Sequence, residues 1–208
     1  MIFDKADLIV ARYNEDLNWI KSKYDNIFIY NKGNDNLKNS IKLNNLGRES
    51  HTYIYHIYNN YENLNDINIF SQGRINDHSF KGESFSEEYF YKMYNDTKKY
   101  GASLNRDFFP EHIIPFGGYK NFRLYHYYNT LDKSKYSISE WKKKFNISDK
   151  ETIYNWYIGA IFSISKNKIL SRSKDFYKNL LEDPELYTPN PEIAHFYERS
   201  WALIFNLD

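Results

Sequence analysis

At 208 residues, with 26% charged side chains and a formal net charge of +1, the chain is long enough to bury one sizeable core and lacks the basic field that favours nucleic acid as a partner. It contains no cysteine, which excludes a disulfide framework, thiolate catalysis and zinc–cysteine sites. No run of about twenty apolar residues occurs, and MIFDKADLIVARY carries an early acidic residue before a strand pattern, so the expectation is a soluble chain without signal peptide or anchor, compatible with the cytoplasm.

Ala6 to Tyr13 is a mostly apolar run that suits a buried first strand, with Glu15 and Asp16 in the turn after it. A short helix is predicted over Leu17 to Tyr24, capped by Asn14 or Asp16. Ile27 to Tyr30 reads as the second strand, stopped by Asn31, Lys32 and Gly33. In LGRESHTYIYHI (Leu46 to Ile57) a glycine precedes a predicted helix, Arg48 to Asn60, whose apolar side carries Tyr53, Ile54 and Ile57 and runs on to Tyr61. Ile67 to Phe70 is the third strand, ended by Gln72 and Gly73. Ser86 to Tyr100 reads as a helix with acids in its first turn and lysines in its last. Phe108 to Gly118, with two prolines and a Gly–Gly pair, reads as loop, and Ser139 to Lys144 as a helix capped by Ser137 or Ser139. Tyr154 to Ser165 suits one or two strands around Gly159. Lys166 to Leu181 reads as a basic amphipathic helix, and the last helix runs from about Glu192 to Phe205. Strands alternating with helices predict a single α/β domain with a mixed, largely parallel sheet flanked by helices. The Asn, Lys, Ile and Tyr bias matches AT-rich codons, so the 21 Tyr and 15 Phe are read as codon bias rather than as a stacking platform.

The polar clusters fall just past strand ends or at helix starts, where open α/β sheets bind ligands. Gly47 allows close backbone approach, and the free N–H groups of the following turn, with Arg48, favour a phosphate or carboxylate. A plainer role is also open: Glu49 complements the helix dipole and pairs with Arg48. His195 and Glu198 share a helix face, and the planar fork of Arg199 suits phosphate, or else a Glu–Arg pair ties the last helix to the domain. Asp77 and His78 offer one oxygen and one imidazole donor to Mn²⁺ or Mg²⁺, although no Asp-x-Asp tripeptide occurs. P-loop, G-x-G-x-x-G, G-x-S-x-G and H-E-x-x-H patterns are all lacking.

Taken in order, LIVARYNED (Leu8 to Asp16), IYNKG (Ile29 to Gly33), LGRESHTYIYHI, the stretch Ile69 to His78, GAIFSIS (Gly159 to Ser165) and HFYERSWALIF (His195 to Phe205) resemble the family called domain of unknown function 3431 over nearly the whole chain. Their order is more remotely similar to that of GT-A-type glycosyltransferases, which move a sugar from a nucleotide diphosphate to an acceptor. That similarity implies nucleoside contacts at Tyr13, Glu15 and Asp16, a donor diphosphate near Gly47, Arg48, Gln72 and Arg199, and Glu198 as general base. It also implies a Mn²⁺ or Mg²⁺ ion near Asp77, His78 and His195, no organic cofactor, and as partners a nucleotide-sugar donor and a glycan, protein or small-molecule acceptor. Two other readings stay open: a metal-dependent hydrolase or nuclease using Asp77, His78, His195 and Glu198, and a non-catalytic carbohydrate-binding or interaction domain. Under either enzyme reading, Glu15 or Asp16, Arg48, Gln72 and Glu198 are expected to border one cavity.

Overall fold

In the computed structural model, which describes residues 1–76, 86–104, 130–148 and 160–207, the N-terminal apolar run is an inner strand of a six-stranded sheet. This strand, β1 (Ile2–Arg12), buries Ala6, Leu8, Ile9 and Val10 completely. It is covered on both faces, which is why its sequence reads as a continuous apolar run rather than an alternation. β2 (Lys23–Asn31) and β4 (Ile67–Gln72) flank β1 in parallel, and β3 (Ile41–Lys42) extends the sheet beyond β2. β5 (Ala102–Leu104) and β6 (Phe162–Ser165) complete it, with β6 inserted between β4 and β5 and antiparallel to both. The order β3-β2-β1-β4-β6-β5 is thus a mixed, mostly parallel sheet, as expected.

Seven helices occur among the described residues: α1 (Arg48–Asn60), α2 (Glu87–Tyr100), α3 (Ile138–Lys144), α4 (Lys166–Ile169), α5 (Lys174–Leu181), α6 (Glu192–Glu198) and α7 (Trp201–Ile204). The strand period of two divides the core between them. Ile9, Phe70 and Phe162 meet Tyr53, Ile54 and Ile57 of α1 together with side chains of α3 and α5–α7, whereas Leu8, Val10, Ile67 and Ile69 face Phe90, Met93 and Tyr94 of α2. Among the described residues no helix is long and apolar enough to cross a membrane.

Three expectations about helices fail for identifiable reasons. Leu17 to Tyr24 is not helical: Asp16 accepts from the backbone and side-chain amides of Asn18, closing a local turn, and the indole of Trp19 donates to the Gly73 carbonyl at 2.9 Å, so β2 starts at Lys23. Lys166 to Leu181 breaks into α4 and α5, because Arg172 turns away to donate to the Leu203 and Ile204 carbonyls at the end of α7, and Ser173 caps a fresh helix. The last helix breaks at Arg199 and Ser200, where the Arg199 side chain folds back onto the His195 carbonyl and the Glu198 carboxylate. Of the remaining elements, α1 spans the expected residues, and Ser86 and Ser137 cap α2 and α3, Ser137 in a capping box with Glu140. The predicted loop Phe108 to Gly118, residues 154–159 of the predicted strand region, Gly159, Asp77 and His78 lie outside the described residues.

The start of α1 is set by two residues in the left-handed region, Gly47 at φ 63° and Arg48 at φ 49°. A Cβ on Gly47 would lie 2.7 Å from the Leu186 carbonyl oxygen and 2.6 Å from the His51 Cβ, so both space and dihedral demand glycine. Gly47→Ala is expected to destabilise the fold by at least about 1–2 kcal/mol from the left-handed conformation alone, with the steric contact adding to it, and urea denaturation measures the difference.

Candidate functional site

The chain leaves β1 toward β2 and β3, then returns through α1 to β4 on the other side of β1. The carboxyl ends of β1 and β4 therefore flank the switch point, the place where open sheets of this kind form a ligand crevice. A cavity of about 510 Å³ lies there, lined by Glu15, Asp16 and Trp19 on one side and by Gly73, Arg74, Ile75 and Asn76 on the other. The Glu15 carboxylate accepts from the backbone N–H groups of Tyr13 and Asn14 and packs over Gly73, where a Cβ would come within 2.6 Å of it. Gln72 turns its amide onto the Arg74 carbonyl, and the Tyr13 ring is exposed. Arg48, Gln72 and Glu198 do not line this cavity, so it does not unite the four residues expected to border one. A larger groove, about 680 Å³ between the end of α3 and the start of α5, includes none of the sequence-predicted residues.

Two charged groups that sequence reasoning passed over connect the crevice to the start of α1. Arg12, buried at the end of β1, binds Asp35 through both terminal nitrogens at 2.8 and 2.7 Å, and also reaches Asn31 and the Glu15 carbonyl. This guanidinium, with help from Asn31, holds the Asp35 carboxyl well below the usual carboxylate range. Lys32, one residue past β2, is 6% exposed and donates to the carbonyls of Leu46 and Arg48, which bracket the left-handed turn. Burial pushes its ammonium down to about 7, against a smaller opposing pull from Glu49. The only advance signal of either was a cation bordering a buried strand, which needs a partner to be tolerated.

The second cluster joins α1 to α6. Arg48 donates from Nη1 to His195 Nε2 at 3.0 Å, His195 Nδ1 lies 3.0 Å from Glu198 Oε2, and Arg199 Nη1 donates to the same oxygen at 3.1 Å. The roles are fixed by elementary chemistry, since a guanidinium only donates. His195 Nε2 must be the acceptor, so Nδ1 carries the proton and donates it to Glu198. Glu198 is therefore not a lone carboxylate but the orienting half of a pair whose other half is His195. Arg199 is almost fully buried, and desolvation lowers its pKa while Glu198 opposes that shift. Arg48 is held less firmly: its side chain is 39% exposed, with Glu49 Oε2 at 3.9 Å from Nε and Asn190 Oδ1 at 3.4 Å from Nη1. The first turn of α1 has no side-chain cap.

The structure thus brings Arg48, His195, Glu198 and Arg199 into one cluster, and Glu15, Asp16 and Gly73 into another beside Gln72. Backbone and side-chain bonds of Arg12 and Lys32 run between them, the Lys32 amide donating to the Arg12 carbonyl at 2.7 Å. Fold and site together define an open α/β domain with polar clusters at the carboxyl edge of a mostly parallel sheet. The family model described as "Protein of unknown function (DUF3431)" matches residues 8–208, and the chain belongs to that family. No curated protein and no solved structure matches it.

Two expectations follow from this wiring. Arg199→Ala leaves the buried Glu198 carboxylate without its adjacent guanidinium and is expected to destabilise by about 3–5 kcal/mol, whereas Arg48→Gly, losing its hydrogen bonds to His195 and Asn190 but relieving a left-handed residue, stays within about 1 kcal/mol of the parent in urea melts. The depressed Lys32 pKa means that the unfolded chain binds more protons than the folded one between pH 7 and the ordinary lysine value of 10.5. Stability contributed through this group therefore rises with pH across that window. Lys32→Met is expected to remove this rise, which urea midpoints at pH 7 and pH 9 test.

Proposed function

We propose that the protein transfers a sugar from a nucleotide-diphosphate donor to a hydroxyl acceptor on a GT-A-like frame. The observation that carries this reading is the uncapped first turn of α1, with Arg48 on it, set beside the His195–Glu198 pair. Donors for an anion and an oriented base thus stand together, which is what departure of a diphosphate and activation of a hydroxyl require.

In this reading the nucleoside occupies the crevice at Glu15 and Asp16, and the diphosphate meets Arg48 and the first-turn N–H groups of α1. The acceptor hydroxyl gives its proton to the His195–Glu198 pair as its oxygen bonds to the anomeric carbon. The bond from that carbon to the diphosphate oxygen breaks, and its electron pair leaves on the diphosphate. Of the residues the sequence offers to Mn²⁺ or Mg²⁺, Asp77 and His78 lie outside the described residues, and His195 engages both ring nitrogens within the protein, with the positive charge of Arg48 against one of them. His195 does not fit a metal-ligand role in this arrangement. A binding-only domain is the second reading, and the engagement of Glu198 by Arg199 favours it, since the pair holds the C-terminal end of α6 together as well as occupying the carboxylate.

A nucleotide diphosphate or its sugar conjugate at about a hundred times its dissociation constant is expected to stabilise the native state by about 2.7 kcal/mol, or about 5–10 °C in melting temperature. Glu198→Gln keeps this shift and loses transfer. If no uridine, guanosine, cytidine or thymidine diphosphate donor moves the melting temperature, with or without Mn²⁺ or Mg²⁺, the binding-only reading replaces transfer. Stabilisation by metal alone, with cleavage of phosphodiesters, points instead to a hydrolase.

A further inference from the structure

We infer that Arg48 is a displaceable cap on His195: in the free protein it occupies the Nε2 lone pair, and an incoming phosphate-type anion draws it away, leaving His195 open to accept a proton. This deepens the transfer reading and rests on it, because it makes donor binding the event that arms the base and so orders donor before acceptor.

The chain of hydrogen bonds requires it. With Arg48 Nη1 at 3.0 Å from His195 Nε2 and Nδ1 donating to Glu198, neither ring nitrogen offers a lone pair to a third group. A base held in this way is idle until Arg48 moves. Set beside Arg12, Arg172 and Arg199, Arg48 is built to move. Arg12 is locked bidentately to Asp35, Arg172 spans two carbonyls at the end of α7, and Arg199 is buried on Glu198 and the His195 carbonyl. Arg48 has a half-exposed side chain, one imidazole, a distant Glu49 and a long contact to Asn190. A doubly charged phosphate group outbids a neutral imidazole for a guanidinium, since it offers a bidentate, charge-assisted pair.

The surroundings agree. Arg48 stands in a left-handed conformation, and strained residues of this kind are concentrated at sites that switch or bind. Two buried polar atoms near this turn, His51 Nδ1 and Thr188 Oγ1, have no hydrogen-bond partner among the described residues, while the Thr188 carbonyl receives the Gly47 N–H. Among the described residues, the charged groups around His195 are Arg48 from α1, with Glu49 beside it, Glu198 from α6 and Arg199 just beyond it. Among the described residues, only Arg48 is both in contact with Nε2 and partly open to water.

The test uses the full chain and inorganic pyrophosphate as the probe, with binding followed by calorimetry and His195 followed by nitrogen NMR of its imidazole. In the free protein His195 should show protonated Nδ1 and hydrogen-bonded Nε2. Pyrophosphate should shift the Nε2 signal to that of an uncapped nitrogen and leave Nδ1 in place. Arg48→Ala should show the uncapped signal without any anion, and its His195 should react with diethyl pyrocarbonate about tenfold faster than in the parent, the factor set by losing one hydrogen bond to a charged group. Pyrophosphate that binds while the Nε2 signal stays put overturns the cap, as does pyrophosphate that fails to bind. An unchanged His195 in Arg48→Ala overturns it as well, and the titration of the parent stands alone should that variant fail to fold. Failure of the cap leaves the melting response to nucleotide donors intact, whereas failure of the transfer reading removes that response even where pyrophosphate uncaps His195.

Discussion

A lysine driven beneath a turn sets the position of nearly everything else at the carboxyl edge of the sheet. Lys32 reaches from the end of β2 to the carbonyls of Leu46 and Arg48, which lie on either side of the left-handed pair Gly47–Arg48. The turn aims α1, and α1 lays Tyr53, Ile54 and Ile57 into the larger half of the core. Packing and site chemistry consequently share one joint. A buried lysine is costly to keep charged, and here two carbonyl acceptors and the nearby Glu49 offset part of that cost.

Around this joint the arginines divide by what holds them. Arg12 and Arg199 are buried with carboxylate partners and act as fasteners, one between the ends of β1 and β2 and the loop at Asp35, the other between α6 and its own C-terminal turn. Arg48 has the weakest set of partners and the greatest access to water of the three. The break between α6 and α7 belongs to the same economy of charge. At the break the His195 carbonyl accepts from both the backbone N–H and Nη1 of Arg199.

Much of the frame was legible in the sequence because it rests on local periodicity. β1 reads as an apolar run because both its faces are buried, and α1 as a glycine-led amphipathic stretch. The two- and three-residue strands β3 and β5 are too short to show a period, and the position of β6 between β4 and β5 depends on pairings across long separations. The failed helix at Leu17 to Tyr24 turned on one Asp16 turn and one indole hydrogen bond to Gly73, neither of which leaves a periodic trace. At the site, the residue types were readable as motifs, and the wiring was not. Nothing in HFYER says that Glu198 faces the Nδ1 of His195 and Arg48 its Nε2, because Arg48 stands far away in the chain. For the same reason the Arg12–Asp35 pair stayed hidden: its members lie 23 positions apart.

The insertion of β6 also has a bearing on how the chain acquires its shape. β1 to β4 lie within the first 72 residues, and their pairings need nothing that comes later. β4 nevertheless leaves one edge bare until residues 162–165 arrive, and β5, made long before, has no strand partner among the described residues except β6. As the chain emerges from the ribosome, an apolar strand edge thus waits through some ninety residues of synthesis, counted from Gln72 to Phe162. During that interval the unpaired edge of β4 is open to pairing with a second nascent copy or to a chaperone. Closing it joins strands far apart in sequence, the kind of long-range closure that slows folding relative to local helix formation.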